Sequence, residues 1–222
     1  MIKEFINNYE AIMSALGETL IMLGISIGVG MILGLMVGIL ISITGPKGLG
    51  PNKVVHQILG LGVNITRSIP FILLAIVLIP FTRFVIGRAF GTYAASVPLT
   101  IIATALFARF TEQSLSEVNP NIIKSGEVMG ASKFQIIVHF MLKEAISSLV
   151  LGFTSAIISV VSYSTVMGIL GGGGIGDFAI YHGYTSNNRT LMFVVIIIMV
   201  IFVSVIQITG NIISNKLDKS RK

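Results

Sequence analysis

The chain has 222 residues, 54% hydrophobic and only 11% charged, with a formal net charge of +6 and no cysteine. A soluble domain carries about 25% charged residues, so this composition leaves little chain for a water-soluble domain. Without cysteine there is no disulfide framework, no thiolate chemistry and no cysteine-based metal site.

Crossing a bilayer core takes about 20 apolar residues per helix. Five stretches reach that length: Leu16–Ile43, Val54–Phe81, Thr92–Leu115, Ala145–Leu170 and Leu191–Ile213. The alternating pattern of barrel strands is missing. The reading is therefore an all-α membrane protein, one transmembrane domain over residues 1–222 with spans at about 16–43, 54–81, 92–115, 145–170 and 191–213. Met1–Gly17 lacks a signal-peptide layout, since the apolar run after it is too long and no small-residue cleavage site follows.

Span one carries Gly24, Gly28, Gly30, Gly34 and Gly38. The last three recur every four residues and make a small helix face that allows close backbone approach. The loop after it, TGPKGLGPNK, has two glycines at phosphate-loop spacing, but Pro51 and Asn52 stand where Lys and Ser or Thr belong. It is read as a turn. Span two holds Asn64, Thr66, Arg67 and Ser68, then Pro70 and Pro80. A charge within a span costs about 2.5–3.5 kcal/mol on insertion scales, so Arg67 is expected to face protein or water, or to snorkel at an interface. Pro70 removes a backbone donor and bends the helix. Span three is rich in Ala and Ser, and Arg109 and Glu112 near its end are spaced to pair.

Residues 119–143 are a polar insert between spans three and four. Asn119 is a helix cap with Pro120 at the first position. Gly130 suits the left-handed residue that ends the helix. Ser132 and Gln135 have capping-box spacing for the next helix, which runs on toward span four. The prediction is helix, glycine turn, helix, with Ile122, Gly126 and Met129 on one face of the first helix, packed on the bundle or docked in a partner groove. Span four ends in Tyr163, Ser164 and Thr165 and then a glycine run, Gly171–Gly174 and Gly176, expected to form a tight outer loop.

Gly171, Gly173 and Gly176 match a dinucleotide fingerprint, but no βαβ unit surrounds them. Gly174, Gly176 and Asp177 echo an intramembrane aspartyl protease, yet the only other aspartate is Asp218 in the tail. His56, His139 and His182 sit in three separate segments, without zinc spacing. The residues point to no enzyme, no catalytic residue, no cofactor and no metal. Nor does the basic charge mark nucleic acid, since no basic patch is interleaved with aromatics. Lys47, Lys53, Lys124, Lys133, Lys143, Lys216, Lys219, Arg221 and Lys222 fall on one side of a five-span chain. Lys3, Arg83, Arg88 and Arg189 fall on the other. The positive-inside rule puts the N-terminus outside and the C-terminus in the cytoplasm.

The segment Glu127-Val-Met-Gly130-Ala131-Ser132-Lys-Phe-Gln135 resembles the "EAA" coupling loop of ATP-binding-cassette importer permeases. Together with RSIPF (67–71), IPFTR (79–83), VPLT (97–100), Arg109 with Glu112, Tyr163 with Ser164, GGGIG (172–176) and GY (183–184), it resembles the methionine-importer branch over nearly the whole chain. Two departures stand out. Lys124, Ser125 and Gly126 replace the opening Glu-Ala-Ala, and Leu142-Lys143 replaces the closing Leu-Pro.

The resemblance implies a type I importer fold in the bacterial cytoplasmic membrane. It implies a homodimer, two cytoplasmic ATPase subunits and an external substrate-binding protein, with methionine carried by alternating access. Glu127, Met129, Gly130, Ala131, Ser132 and Gln135 would meet the ATPase. Ser68, Tyr163, Ser164 and Met167 are the expected path residues. Another amino acid, or a methionine derivative, is an alternative cargo. A self-sufficient secondary carrier is the reading from another class, but no repeat relates the two halves.

Overall fold

The computed structural model of the chain describes residues 2–218, so Lys219, Arg221 and Lys222 of the basic tail lie outside the described residues. A short helix α1 (Ile2–Asn7) leads into the long α2 (Tyr9–Thr44). After the first turn come α3 (Lys53–Ser68), α4 (Phe71–Val77) and α5 (Ile79–Ile86). Then follow α6 (Thr92–Ser116), α7 (Pro120–Val128) and α8 (Lys133–Ile169). The chain closes with α9 (Gly174–Phe178), a π-helical stretch Ala179–Thr185, and α10 (Arg189–Leu217).

Helices α2, α6, α8 and α10 are each long and apolar enough to cross a membrane, and the bent pair α3–α4 makes a fifth crossing if counted as one span. Helix α6 is the centre of the bundle: Leu99, Ala103, Phe107 and Ala108 are fully buried. Helix α2 lies against it along the predicted glycine face. A Cβ on Gly30 would meet that of Ala103 at 2.7 Å, and one on Gly34 would meet the Thr104 carbonyl at 2.7 Å. Gly38 meets the Ala108 carbonyl and Thr111 in the same way. These three residues therefore set the interhelical distance, whereas Gly24 and Gly28 face open space. The outer sides of α2 and α10 expose Ile32, Met36, Val200 and Ile201, among others, as a lipid-facing surface requires.

Two elements differ from the sequence expectation. Span two is not one helix over 54–81. Its first two pieces meet at 107°, and Ile69 between them is extended, with ψ 126°. Pro70 has no N–H to continue α3, and a residue before proline avoids helical geometry. The helical course also runs on through α5 to Ile86. The glycine run after span four is not a simple loop either. It turns into α9, whose Ile175 and Phe178 are buried with Ile12, Leu191, Val194 and Val195.

Candidate functional site

The elbow, α7 to the start of α8, is built by short-range contacts. Asn119 Oδ1 accepts from the Asn121 N–H at 2.9 Å, leaving Pro120 where no donor is needed. The helix ends at Val128, and Gly130 takes φ +74°, the left-handed geometry that glycine adopts without steric cost. The Ala131 N–H returns to the Gly126 carbonyl at 3.0 Å. Ser132 Oγ accepts from the Gln135 N–H at 3.3 Å, and Gln135 Oε1 accepts from the Ser132 N–H at 2.8 Å. That reciprocal box starts α8, which continues through a π-helical turn at Ile136–Met141 into the membrane span without a break. The end of the elbow and the span are therefore one helical body.

One side of the elbow is anchored. Ile136 is buried with Leu115, Val118 and Met141, while Ile122 and Ile123 pack on the same cluster. Gly126 sits against Ile136 and Phe140, close enough that a Cβ would lie 3.1 Å from Ile136. The other side is free. Val128 is 88% exposed, Phe134 74% and Met129 70%. The shared face expected for Ile122, Gly126 and Met129 stops at Gly126, because α7 ends one residue before Met129 and the chain turns it outward. Of the residues expected to meet the ATPase, Glu127, Met129, Gly130, Ser132 and Gln135 are exposed, and Ala131 is half-buried. Val128 and Phe134 were missed. Two large apolar side chains in a polar inter-span segment were the available signal. Arg109 and Glu112 do pair, at 2.8 Å, near the C-terminal end of α6; such a half-exposed pair contributes little.

The four expected path residues do not form one cluster. Tyr163 stacks on Phe71 just past the α3–α4 break, ring centroids 4.7 Å apart. Met167 is buried with Phe71 and Leu74. Ser164 is buried too, its hydroxyl donating to the Val161 carbonyl at 2.7 Å. Ser68 is exposed at the end of α3 and donates to the Asn64 carbonyl at 2.8 Å. Sequence reasoning also passed over a polar line on α8, Ser155, Ser159 and Ser162, readable as serines three and four apart. Next to it, a cleft of about 540 Å³ between α8 and α10 takes in Ser162, Thr165 and Ser204 among Val, Ile and Met side chains.

The sequence profile of the binding-protein-dependent transport system inner membrane components matches residues 30–221. A probable D-methionine transport system permease protein MetI of Haemophilus influenzae is 39% identical over 176 residues, 79% of this chain and 83% of that protein. The corresponding protein of Vibrio cholerae is 36% identical over 214 residues, 96% of this chain and 95% of that one. A solved structure of the MetNI methionine ABC transporter in inward-facing conformations superposes with a TM-score of 0.91 at 37% identity. The match covers 94% of this chain and 96% of that one.

Proposed function

The chain belongs to the family of binding-protein-dependent transport system inner membrane components, and from that premise we propose that it is the permease subunit of an ATP-driven methionine importer. It is a transport component and not an enzyme. It sits in the bacterial cytoplasmic membrane with its N-terminus outside and its C-terminus in the cytoplasm. Two copies enclose the path, two cytoplasmic ATPase subunits take hold of the elbows, and an external binding protein delivers methionine.

The observation that carries this reading is the exposed apolar tip of a rigidly capped elbow. Val128, Met129 and Phe134 stand in water on a segment whose backbone is fixed by Asn119, Gly130 and the Ser132–Gln135 box. Large apolar side chains displayed on a rigid element are what helix-in-groove recognition uses. Closure of the ATPases on ATP pushes the elbow, and α8 carries that movement into the bundle. ATP and methionine shift the equilibrium only because each binds one conformation better than the other.

The test is reconstitution of the chain with its co-purifying ATPase and binding protein in liposomes. Labelled methionine should accumulate only with ATP inside. Accumulation by the chain alone, driven by an ion gradient, would replace this reading with a secondary carrier. Preference for a different labelled amino acid would keep the importer and change its cargo.

A further inference from the structure

Helix α3 has three faces. Leu59 and Val63 pack on the bundle with Ile41, Ala105 and Ala108. Val54, Ile58, Leu61 and Ile65 form an exposed apolar face suited to lipid. The third face, also exposed, is polar: Gln57, Asn64, Arg67 and Ser68 recur at helical spacing along it.

Taken as the inward-running half of the bent span, α3 carries Arg67 toward the middle of the membrane. The helix starts at Lys53 beside a polar turn and is capped there by Asn52, whose side chain accepts from the Val55 N–H at 3.2 Å. Fourteen residues at about 1.5 Å each put Arg67 about 21 Å further along the axis. The hydrocarbon core is about 30 Å thick, so a helix entering at a tilt of about 45° or less would bring the residue to mid-plane or beyond. A cation there costs about 2.5–3.5 kcal/mol on insertion scales unless water or a counter-charge receives it. Among the described residues Arg67 makes neither a salt bridge nor a side-chain hydrogen bond. It stands at the end of α3, where the span turns by 107°, with Asn64 three residues back on the same face.

We infer that Arg67, with Asn64 beside it, is a carboxylate-recognising station on the permeation path, the point where a passing amino acid's anionic end is met inside the membrane. The guanidinium fork matches a carboxylate in geometry and charge. Asn64 adds an amide that both donates and accepts. The exposed polar face then lies along water, which removes the insertion cost, and Ile58 and Ile65 turn toward lipid. This rests on the methionine-permease reading and adds to it the residue that senses the substrate's charge.

The chain has no cysteine, so a single introduced cysteine is the sole thiol on this subunit, and labelling is read on its separated band. In the reconstituted transporter, Gln57→Cys and Asn64→Cys should react with membrane-impermeant methanethiosulfonates about tenfold or more faster than Ile58→Cys and Ile65→Cys. At Asn64→Cys, the anionic sulfonatoethyl reagent should outrun the cationic trimethylammonium reagent by about tenfold beyond their ratio on a free thiol. That preference should vanish in Asn64→Cys with Arg67→Gln. Methionine should slow labelling of Gln57→Cys, and methioninamide, which lacks the carboxylate, should not. Equal rates on the two faces would overturn the inference. So would an anion preference that survives Arg67→Gln, or equal protection by methionine and methioninamide. Labelling needs no turnover. Failure of the parent assembly to take up methionine therefore strikes the permease reading alone, whereas loss of the charge signature with uptake intact strikes Arg67 alone.

Discussion

The elbow and the glycine hairpin after α8 are both helix–glycine–helix corners, and they are held differently. At the elbow each capping contact spans at most five residues: Asn119 to Asn121, Ala131 to Gly126, and Ser132 with Gln135. The other corner has local turns too, the Gly172 N–H returning to the Met167 carbonyl at 2.8 Å, but its helix α9 is also held by contacts from far away. Glu18 on α2 accepts from the Gly174 N–H at 2.6 Å, and Thr19 Oγ1 accepts from the Ile175 N–H at 2.8 Å, each across 156 residues. The elbow displays its apolar side chains, and the hairpin buries its own. A corner that caps itself can be pushed as a unit by a partner. A corner tied in addition to another helix is a fixed part of the wall.

The sharpest way to break that contrast is to add a side chain at each glycine. Gly176 lies against the Thr165 backbone, with a Cβ 2.6 Å from the Thr165 Cα. Gly176→Leu must displace a whole helix, at a cost of about 3 kcal/mol or more, and little folded protein should survive detergent extraction. Gly130 has nothing within 4 Å, so Gly130→Ala meets only the φ of +74°, about 1–2 kcal/mol. It should yield folded protein with a slightly lower melting temperature. Equal losses at the two sites would erase the distinction.

A second pair of changes separates function from stability. Val128→Glu with Phe134→Glu places charges on the exposed tip. Hot-spot residues are worth about 2 kcal/mol or more, so ATP-driven uptake should fall by about thirtyfold. Surface substitutions leave stability within about 0.5 kcal/mol. Co-purification of the ATPase should weaken in parallel. Undiminished uptake would show that the tip is not the grip.

Glu18→Ala removes the distant cap. A hydrogen bond to a charged group contributes about 1.5–3 kcal/mol, and Gly174 is buried, so its N–H would be left without a partner. Thermal unfolding should register that loss. Glu18→Gln should recover part of it, because the amide oxygen still accepts.

These two corners also explain what the sequence made legible. The elbow was readable because its signals are local: a cap, a proline, a glycine and a box, each within a few positions. The close packing of Gly30, Gly34 and Gly38 was readable from their four-residue repeat, but not which helix would meet them. The hairpin was read as a loop because its glycines are the same whether they bend freely or touch a neighbour. Only the folded chain brings Glu18 to Gly174. The α3–α4 break was flagged by Pro70, but its 107° turn depends on how α4 packs against α6 and α8. Ser164 stands out in the sequence as a polar group in an apolar run, but which side of α8 faces the bundle is set by its packing against α2, α6 and α10.

The smallest expected effect is the most local. Ser132→Ala removes one half of the capping box and leaves the Gln135 N–H to water, since the site is exposed. Losing such a cap costs about 1 kcal/mol. The cost should stay in the elbow, because among the described residues no hydrogen bond of Ser132 reaches beyond Gln135 and the first turn of α8. Amide hydrogen exchange should accelerate about fivefold across residues 130–137, the rate equivalent of that energy, and remain unchanged at residues 174–178. If exchange rose at the glycine hairpin as well, the two corners would belong to one cooperative unit, and the elbow could not be moved without moving the wall.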